Sequence, residues 1–507
     1  MAPHINRRGF LQVASAGAAM LGVGDLSFLS RLRAVSAADA SLDSYLVRLD
    51  AGIEPTVRLL EDTPREKLIE EVAAKVKAGL SYRELLAALL LAGVRNVEPR
   101  PSVGFKFHAV LVVNSAHLAS MSSPDAHRWL PIFWALDYFK ESQAATAGES
   151  GWRMGRVDES KVPAAHEAKQ KFIEAMDRWD EAAADAAVAG LARSAGAAEV
   201  FELMWRYGAR DFRSIGHKAI YVANSWRTLQ CVGWQHAEPV LRSLAYALLN
   251  HEGGSENPAE SDLPADRPGR RNAELAREIR PEWRGGRADP GATDEMLQAL
   301  RSGSEYEAPA AAVKLLNGGA SPQTLWDAMF SAASELTIRK PGIVSLHAVT
   351  SSNALRYAFD ASADDTTRRM MLLQNASFIP LFRKALGQAD DRHIDRIEPE
   401  AVPSEGAEAV AEIFADVSRD RGTAARKVLG YLQKNPRPHA LVDAARLLVF
   451  LKGTNSHDYK YSSALLEDWS RLSSPWRERY LASGMYLLRG SGAPDNKLVA
   501  RVRAAIG

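Results

Sequence analysis

The segment HAVLVVNSAH begins at His108, and the closely similar segment HAVTSSNALR begins at His347. Two further His-led segments are HKAIYVANSWR from His217 and HALVDAARLL from His439. Each follows an earlier helix-forming segment that opens after a small or polar residue, such as SYRELLAALLLAG from Ser81. A pattern that recurs four times in one chain predicts repeated structural units.

Helical periodicity runs through almost the whole chain. Segments such as REKLIEEVAAKVKAGL and ARKVLGYLQK place apolar residues three and four positions apart, and strand-like alternation is scarce. The sequence therefore predicts an all-α fold of four divergent three- to four-helix units, arranged as an open solenoid or a closed ring. In a single domain at 41–507, the predicted units cover residues 57–145, 160–251, 293–388 and 405–490, and a mobile Gly/Pro-rich insertion spans 252–294.

The overall composition excludes several classes of function. With 63 Lys and Arg against 62 Asp and Glu, the net charge is +1, which gives no field to attract nucleic acid. The sequence shows no nucleotide-binding glycine motif. A single cysteine, Cys231, excludes an internal disulfide and any metal site built from cysteines alone, so metal ligands must be imidazoles and carboxylates.

The first forty residues resemble a twin-arginine (Tat) export signal. Arg7 and Arg8 precede a weakly apolar stretch rich in Ala and Gly, and cleavage is expected after Ala37 or Ala40. We therefore expect export by the Tat translocase to the periplasm or the extracellular space. No later run reaches the roughly 18 apolar residues of a membrane span, so the processed protein is not expected to cross the membrane.

A second set of histidines follows the first. In three of the four copies another histidine, His127, His236 or His457, lies eighteen or nineteen residues after the His-led start, and the third copy has Thr366 there. His117 lies late in the first His-led helix and is expected near His127. His117, His127, His236 and His457 thus form a possible second cluster.

In a closed ring, equivalent first-turn positions face a common interior. Imidazole is the commonest protein ligand for transition metals, so the sequence predicts that His108, His217, His347 and His439 hold Fe, Cu, Mn or Zn. Histidines copied along with a repeat can instead act as helix caps or as interhelical hydrogen-bonding residues.

Each His-led helix also carries a small polar residue followed by a base three positions later. Asn224 with Arg227 and Asn353 with Arg356 are two such pairs, and each lies on one helix face. These four residues are predicted to orient ligands or a substrate, alongside His217 and His347 as catalytic groups.

The segment LHAVTSSNALR and its sister segments resemble the questin oxidase-like proteins. The resemblance implies a helical protein that inserts oxygen into an anthraquinone ring without an obvious flavin motif, with His108, His217, His347 and His439 as pocket histidines. The fourth copy departs from the pattern, because Asp443 stands where the other three copies have Asn114, Asn224 and Asn353.

The preferred hypothesis is an exported, metal-dependent oxidoreductase that acts on a small organic molecule, aromatic or quinone-like, in a histidine-lined pocket. One alternative is a non-catalytic helical-repeat protein that binds a partner or scaffolds the cell envelope. Another is a metal-free hydrolase or lyase in which a histidine works with Glu238 or Asp443 as acid and base.

Overall fold

The computed structural model describes residues 45–100, 107–249 and 262–507. Within these ranges the chain is built from α-helices, with no β-strand and only two isolated β-bridges. The predicted all-α class is therefore confirmed.

The described residues form 22 α-helices, numbered here in chain order. The first half contains α1 Glu54–Asp62, α2 Arg65–Lys77, α3 Tyr82–Asn96, α4 His108–Met121, α5 Leu130–Glu149, α6 Ala165–Arg178, α7 Glu181–Ser194, α8 Ala197–Gly208, α9 His217–Val232, α10 Ala237–Leu248 and α11 Arg267–Glu278. The second half contains α12 Pro290–Ser302, α13 Glu307–Asn317, α14 Pro322–Arg339, α15 Ile343–Ala361, α16 Asp365–Leu386, α17 Gly406–Val417, α18 Arg421–Lys434, α19 His439–Lys452, α20 Ser456–Asp468, α21 Trp476–Ser483 and α22 Lys497–Ile506.

Several helices begin where the sequence places a polar cap. The Ser81 hydroxyl accepts a hydrogen bond from the Glu84 N–H at the start of α3, and the Ser321 hydroxyl does the same for the Thr324 N–H at the start of α14. Each cap satisfies one of the backbone donors that a helix N-terminus leaves unpaired. The polar residue that opens these segments therefore fixes where the outer helix of a unit begins.

Four inner helices form a closed bundle at the centre of the protein. Helix α4 packs against α9, α9 against α15, α15 against α20, and α20 against α4. Helices α3, α8 and α14 pack on the outside of the bundle, against α4, α9 and α15 respectively. A single hydrophobic core includes buried residues from Ile53 near one end of the described chain to Val502 near the other. The rest of the chain therefore packs around the bundle.

The fourth member of the bundle is α20, which carries His457, and not α19, which carries His439. The repeat pattern predicts that His439, the first histidine after α18, belongs to the fourth inner helix, but in the structure α19 intervenes and α20 takes that place. Helix α19 packs mainly against α20 and α17.

Part of the predicted mobile insertion is packed against the domain. Helix α11 lies against α16, and the buried Asn272 amide donates hydrogen bonds to the side chains of Gln374 and Ser377. Residues 250–261 lie outside the described part of the chain. Among the described helices, none combines the length and the apolar character that crossing a bilayer requires.

Candidate metal centre

Four histidines meet where the inner helices begin. His108 and His217 are the first residues of α4 and α9, His457 is the second residue of α20, and His347 is the fifth residue of α15. All four side chains are buried. The N-terminal ends of the four inner helices therefore converge on one interior point.

The imidazole rings follow the same cyclic order as the helices. The Nε2 atom of His217 lies 2.8 Å from Nε2 of His108 and 2.9 Å from Nε2 of His347. The His457 ring centroid lies 4.6 Å from that of His108 and 5.3 Å from that of His347. His108, His347 and His457 each offer a ring nitrogen within 4.8 Å of the other two. This spacing is that of a metal-ligand set.

The structure places His439 outside this centre. His439 is the first residue of α19 and is exposed. His457 occupies the position that the repeat pattern predicts for His439. A sequence signal for this assignment exists, because Ser462–Ser463–Ala464–Leu465 follows His457 at the same distance as Ser352–Asn353–Ala354–Leu355 follows His347. The near-equal intervals from 108 to 217 and from 347 to 457 point the same way.

The predicted second cluster is not assembled. His117 Nδ1 lies 3.0 Å from the Tyr82 hydroxyl, and His127 lies beside the Arg503 guanidinium. His236 lines a separate surface pocket of about 410 Å³. With His457 in the central site, none of these three histidines belongs to a group of metal-ligand spacing among the described residues.

The hydrogen bonds of the outer ring nitrogens fix the tautomers of three histidines. Nδ1 of His217 donates to the Ser214 carbonyl at 2.9 Å, and Nδ1 of His347 donates to the Ile343 carbonyl at 2.7 Å. A carbonyl oxygen only accepts, so each neutral ring carries its lone pair on Nε2. These two lone pairs face each other across 2.9 Å and repel unless a cation lies between them.

His457 is oriented in the same way. Its Nδ1 lies 2.7 Å from Asn455 Oδ1, which also accepts the His457 backbone N–H, so Nδ1 donates and Nε2 keeps its lone pair. Nε2 of His457 is buried and has no hydrogen-bond partner in the described part of the chain. Three Nε2 lone pairs therefore point into the centre.

A proton is poorly suited to bridge these lone pairs. Burial, followed by the charge of Lys460, lowers the pKa of His217 well below its usual value, and burial followed by His217 and Lys460 does the same for His347. Burial and Lys460 lower the pKa of His457 to about 3. The rings are neutral at physiological pH, which is the state that binds metal.

Lys460 lies one helical turn after His457 on α20. Its ammonium nitrogen is buried and has no hydrogen-bond partner in the described residues, and burial lowers the pKa of Lys460 to about 7. The charged groups that shift the pKa values of the four central histidines are Lys460 and the other histidines, with no carboxylate among them. The centre is thus surrounded by neutral or positive groups.

The other predicted catalytic residues lie further along the bundle. Asn353 donates hydrogen bonds to Glu467 at 2.8 Å and to Asp468 at 2.9 Å, and Arg227 pairs with Glu467 at 2.9 Å. Arg471 pairs with both carboxylates. Burial and the neighbouring Glu467 raise the pKa of Asp468 to about 7. This second polar cluster did not figure in the sequence analysis, since two acidic residues at a helix end have no distinctive pattern.

Asn224 and Arg356 have structural partners. The Asn224 amide donates to the Leu111 carbonyl at 2.9 Å and accepts a hydrogen bond from Asn114. Arg356 pairs with Asp360 one turn later on the same helix. The structure therefore divides the six predicted catalytic residues, with His217 and His347 at the metal centre and the two asparagines and two arginines elsewhere.

A pocket of about 270 Å³ opens beside the second polar cluster. It lies between α4, α19 and α20, and its lining includes Glu467, Arg446, Ser463 and Phe450. Glu467 is therefore the group through which the buried carboxylate pair reaches a pocket.

A second group with metal-ligand spacing has an ordinary explanation. Glu335, His393 and Asp395 offer ligand atoms close together. The Arg301 guanidinium donates to Glu335 and to Asp395, so the carboxylates already have a cation. We interpret this group as a structural ion cluster.

Comparisons of the chain with protein-family models, with curated proteins and with solved structures find no match. The interpretation of the histidine centre therefore depends on its own geometry.

Proposed function

We propose that this protein binds a transition-metal ion between the Nε2 atoms of His108, His217, His347 and His457, and uses it in the oxidation of a small organic molecule. The main support for a metal ion is that the Nε2 lone pairs of His217 and His347 face each other. The Nδ1 atoms of both rings donate to backbone carbonyls, so both Nε2 atoms carry lone pairs. Because the site disfavours protonated histidines, a metal ion is the cation that these two Nε2 atoms require between them.

The spacing of the nitrogens favours one class of coordination. With metal–nitrogen bonds of about 2.0 to 2.1 Å, ligands 2.9 Å apart subtend an angle of about 90° at the ion, whereas a tetrahedral site needs about 3.3 Å. An angle near 90° is typical of square-planar or six-coordinate ions. The geometry thus supports Fe, Mn or Cu over a four-coordinate structural zinc.

Redox chemistry is the use that best suits this ligand set. Neutral imidazoles bind Fe and Cu well, and a six-coordinate ion with four histidine ligands keeps positions for further ligands. The questin oxidase-like segments support an oxygenase type of reaction on an aromatic or quinone-like substrate. The N-terminal twin-arginine pattern supports export of the folded protein, with metal loaded beforehand, to the periplasm or beyond.

Metal analysis of the purified protein tests this proposal. The wild-type protein and His439→Leu are expected to contain about one transition-metal ion per chain by mass spectrometry, and His217→Leu to contain almost none. His439 is a matched control because it is an exposed first-turn histidine of a neighbouring helix. A metal-free wild-type protein that cannot be reconstituted with Fe, Mn or Cu would overturn the proposal and favour a non-catalytic binding protein.

A further inference from the structure

Among the described residues, none gives the histidine centre a negative charge to balance a metal ion. Four neutral imidazoles leave the full charge of the ion uncompensated, and Lys460, the other charged group that shifts their pKa values, brings no negative charge. The N-terminal ends of four helices also meet there, and each brings a partial positive charge. Uncompensated charge in a buried site is expensive, so an anion is needed for the loaded site to be stable.

In the part of the chain that the structure describes, the nearby carboxylates do not supply that anion. Asp458, next to His457, is turned to the Arg489 guanidinium, to which it is bound at 2.7 and 2.9 Å. Asp468 lies at the far end of α20, about 16 Å along the helix from His457. It is paired with Arg471 and Asn353 there.

Lys460 is placed to hold an anion. It follows His457 by three positions and so lies on the same face of α20. Its positive charge lowers the pKa of all four central histidines. The side chain is 3% exposed, and Nζ has three donors but no acceptor in the described residues.

The other buried lysines of the described chain are paired. The Lys218 ammonium, 1% exposed, donates to Asp211 at 2.7 Å. Lys140 donates to the Glu61 carbonyl at 2.7 Å and to the Gln143 side chain at 2.6 Å. Lys460 differs from both, because nothing in the described chain accepts its hydrogen bonds.

We propose that a small monoanion binds between the metal ion and the Lys460 ammonium, as a ligand of the ion and an acceptor for Nζ. The inference rests on the proposed metal site. Its ligand class is a small anion with a coordinating oxygen or nitrogen, such as formate or azide.

The test uses azide with the copper-loaded full-length protein. Copper content is measured first by mass spectrometry, and azide is then titrated while the azide-to-copper charge-transfer absorption is recorded. Wild-type protein is expected to give a saturable band that formate competes away. Lys460→Met is expected to keep its copper and to raise the Kd for azide about tenfold or more, since a hydrogen bond to a charged group is lost.

Two further variants make the outcome specific. Lys140→Met, which removes a buried lysine on α5, is expected to bind azide as wild type does. Lys460→Gln keeps a polar chain without the charge and is expected to behave as Lys460→Met does, so it replaces that variant if the methionine protein does not fold.

The two proposals fail in different ways. If the wild-type protein binds copper but shows no azide band, or if neutral substitutions at Lys460 leave the azide Kd unchanged, the anion site is wrong and the metal site stands. If wild-type protein takes up neither copper nor Fe or Mn, both are wrong.

Discussion

Replacing His217 by leucine is expected to abolish the stabilisation of the protein by metal. His217 takes part in both short Nε2 contacts of the centre, at 2.8 and 2.9 Å, so its loss removes both contacts and leaves three ligands of wider spacing. A metal present at about 1,000 times its Kd stabilises the native state by about 4 kcal/mol. With an unfolding entropy of about 2 cal/mol/K per residue, a chain of 507 residues should gain about 4 °C in Tm. The variant should gain less than about 1 °C.

The unfolding temperatures of the metal-free proteins provide a second test of the same idea. Leucine has a volume close to that of histidine and removes the opposition between the His217 and His347 lone pairs, so the metal-free variant should unfold at the same temperature as metal-free wild type, or higher. Differential scanning calorimetry with free Cu²⁺ at about 1,000 times its Kd, and separately with chelator, measures both effects. His439→Leu should respond to copper as wild type does. A copper-dependent gain of about 4 °C in His217→Leu would refute the reasoning.

Three further outcomes are expected in the metal-free protein. Since the native pKa values of His217, His347 and His457 are depressed, the unfolded state takes up more protons below pH 6.5. Unfolding free energy from urea titrations should then fall as pH drops from about 6.5 towards 3, by up to about 1.4 kcal/mol per pH unit for each histidine. The pKa of Asp468 is raised to about 7 in the native state. Ionisation of this carboxyl therefore disfavours folding above the pKa that Asp468 has in the unfolded chain, and most strongly above pH 7. Asp468→Asn should thus stabilise the protein by about 2 kcal/mol at pH 8, and the gain should disappear near pH 4. Asn353→Ala removes a hydrogen-bond donor to both Glu467 and Asp468 and should lower the unfolding free energy at pH 8 by about 2 kcal/mol. In a double-mutant cycle, Asn353→Ala should cost clearly less in the Asp468→Asn background than in the wild-type protein.

The helical class and three of the four central histidines could be predicted from sequence because they depend on local patterns. Apolar periodicity identified helices, and the similarity of the His108, His217 and His347 segments aligned three inner helices. The fourth was aligned with the wrong helix, because α19 begins with His439 and is itself a good helix. The segment after His457 resembles the one after His347, and the packing of α20 against α4 and α15 establishes that His457, not His439, is the fourth histidine.

The roles of the polar residues beyond the histidines depended on tertiary contacts. Asn353 and Arg356 lie on one helix face as their spacing requires, yet Asn353 reaches Glu467 and Asp468 on α20 while Arg356 pairs within its own helix. Nothing in the local sequence separates these outcomes. Lys460 likewise has no distinctive neighbours in sequence, and its meaning comes from being buried without an acceptor.

The inner helices themselves show why polar residues carry the function here. Helix α4 is buried on nearly all sides, so its polar residues cannot be explained by a face turned to water, as they could be on an outer helix such as α6. A buried polar group costs stability unless it is satisfied by a partner or a ligand. His108 and Asn114 on this helix therefore have to face other polar groups, and they do, in the histidine centre and at Asn224. In a helix enclosed on nearly every side, each polar side chain belongs either to a hydrogen-bonded pair or to a binding site. The inward Nε2 lone pair of His457 on α20 has no hydrogen-bond partner in the described residues, so it belongs to a binding site.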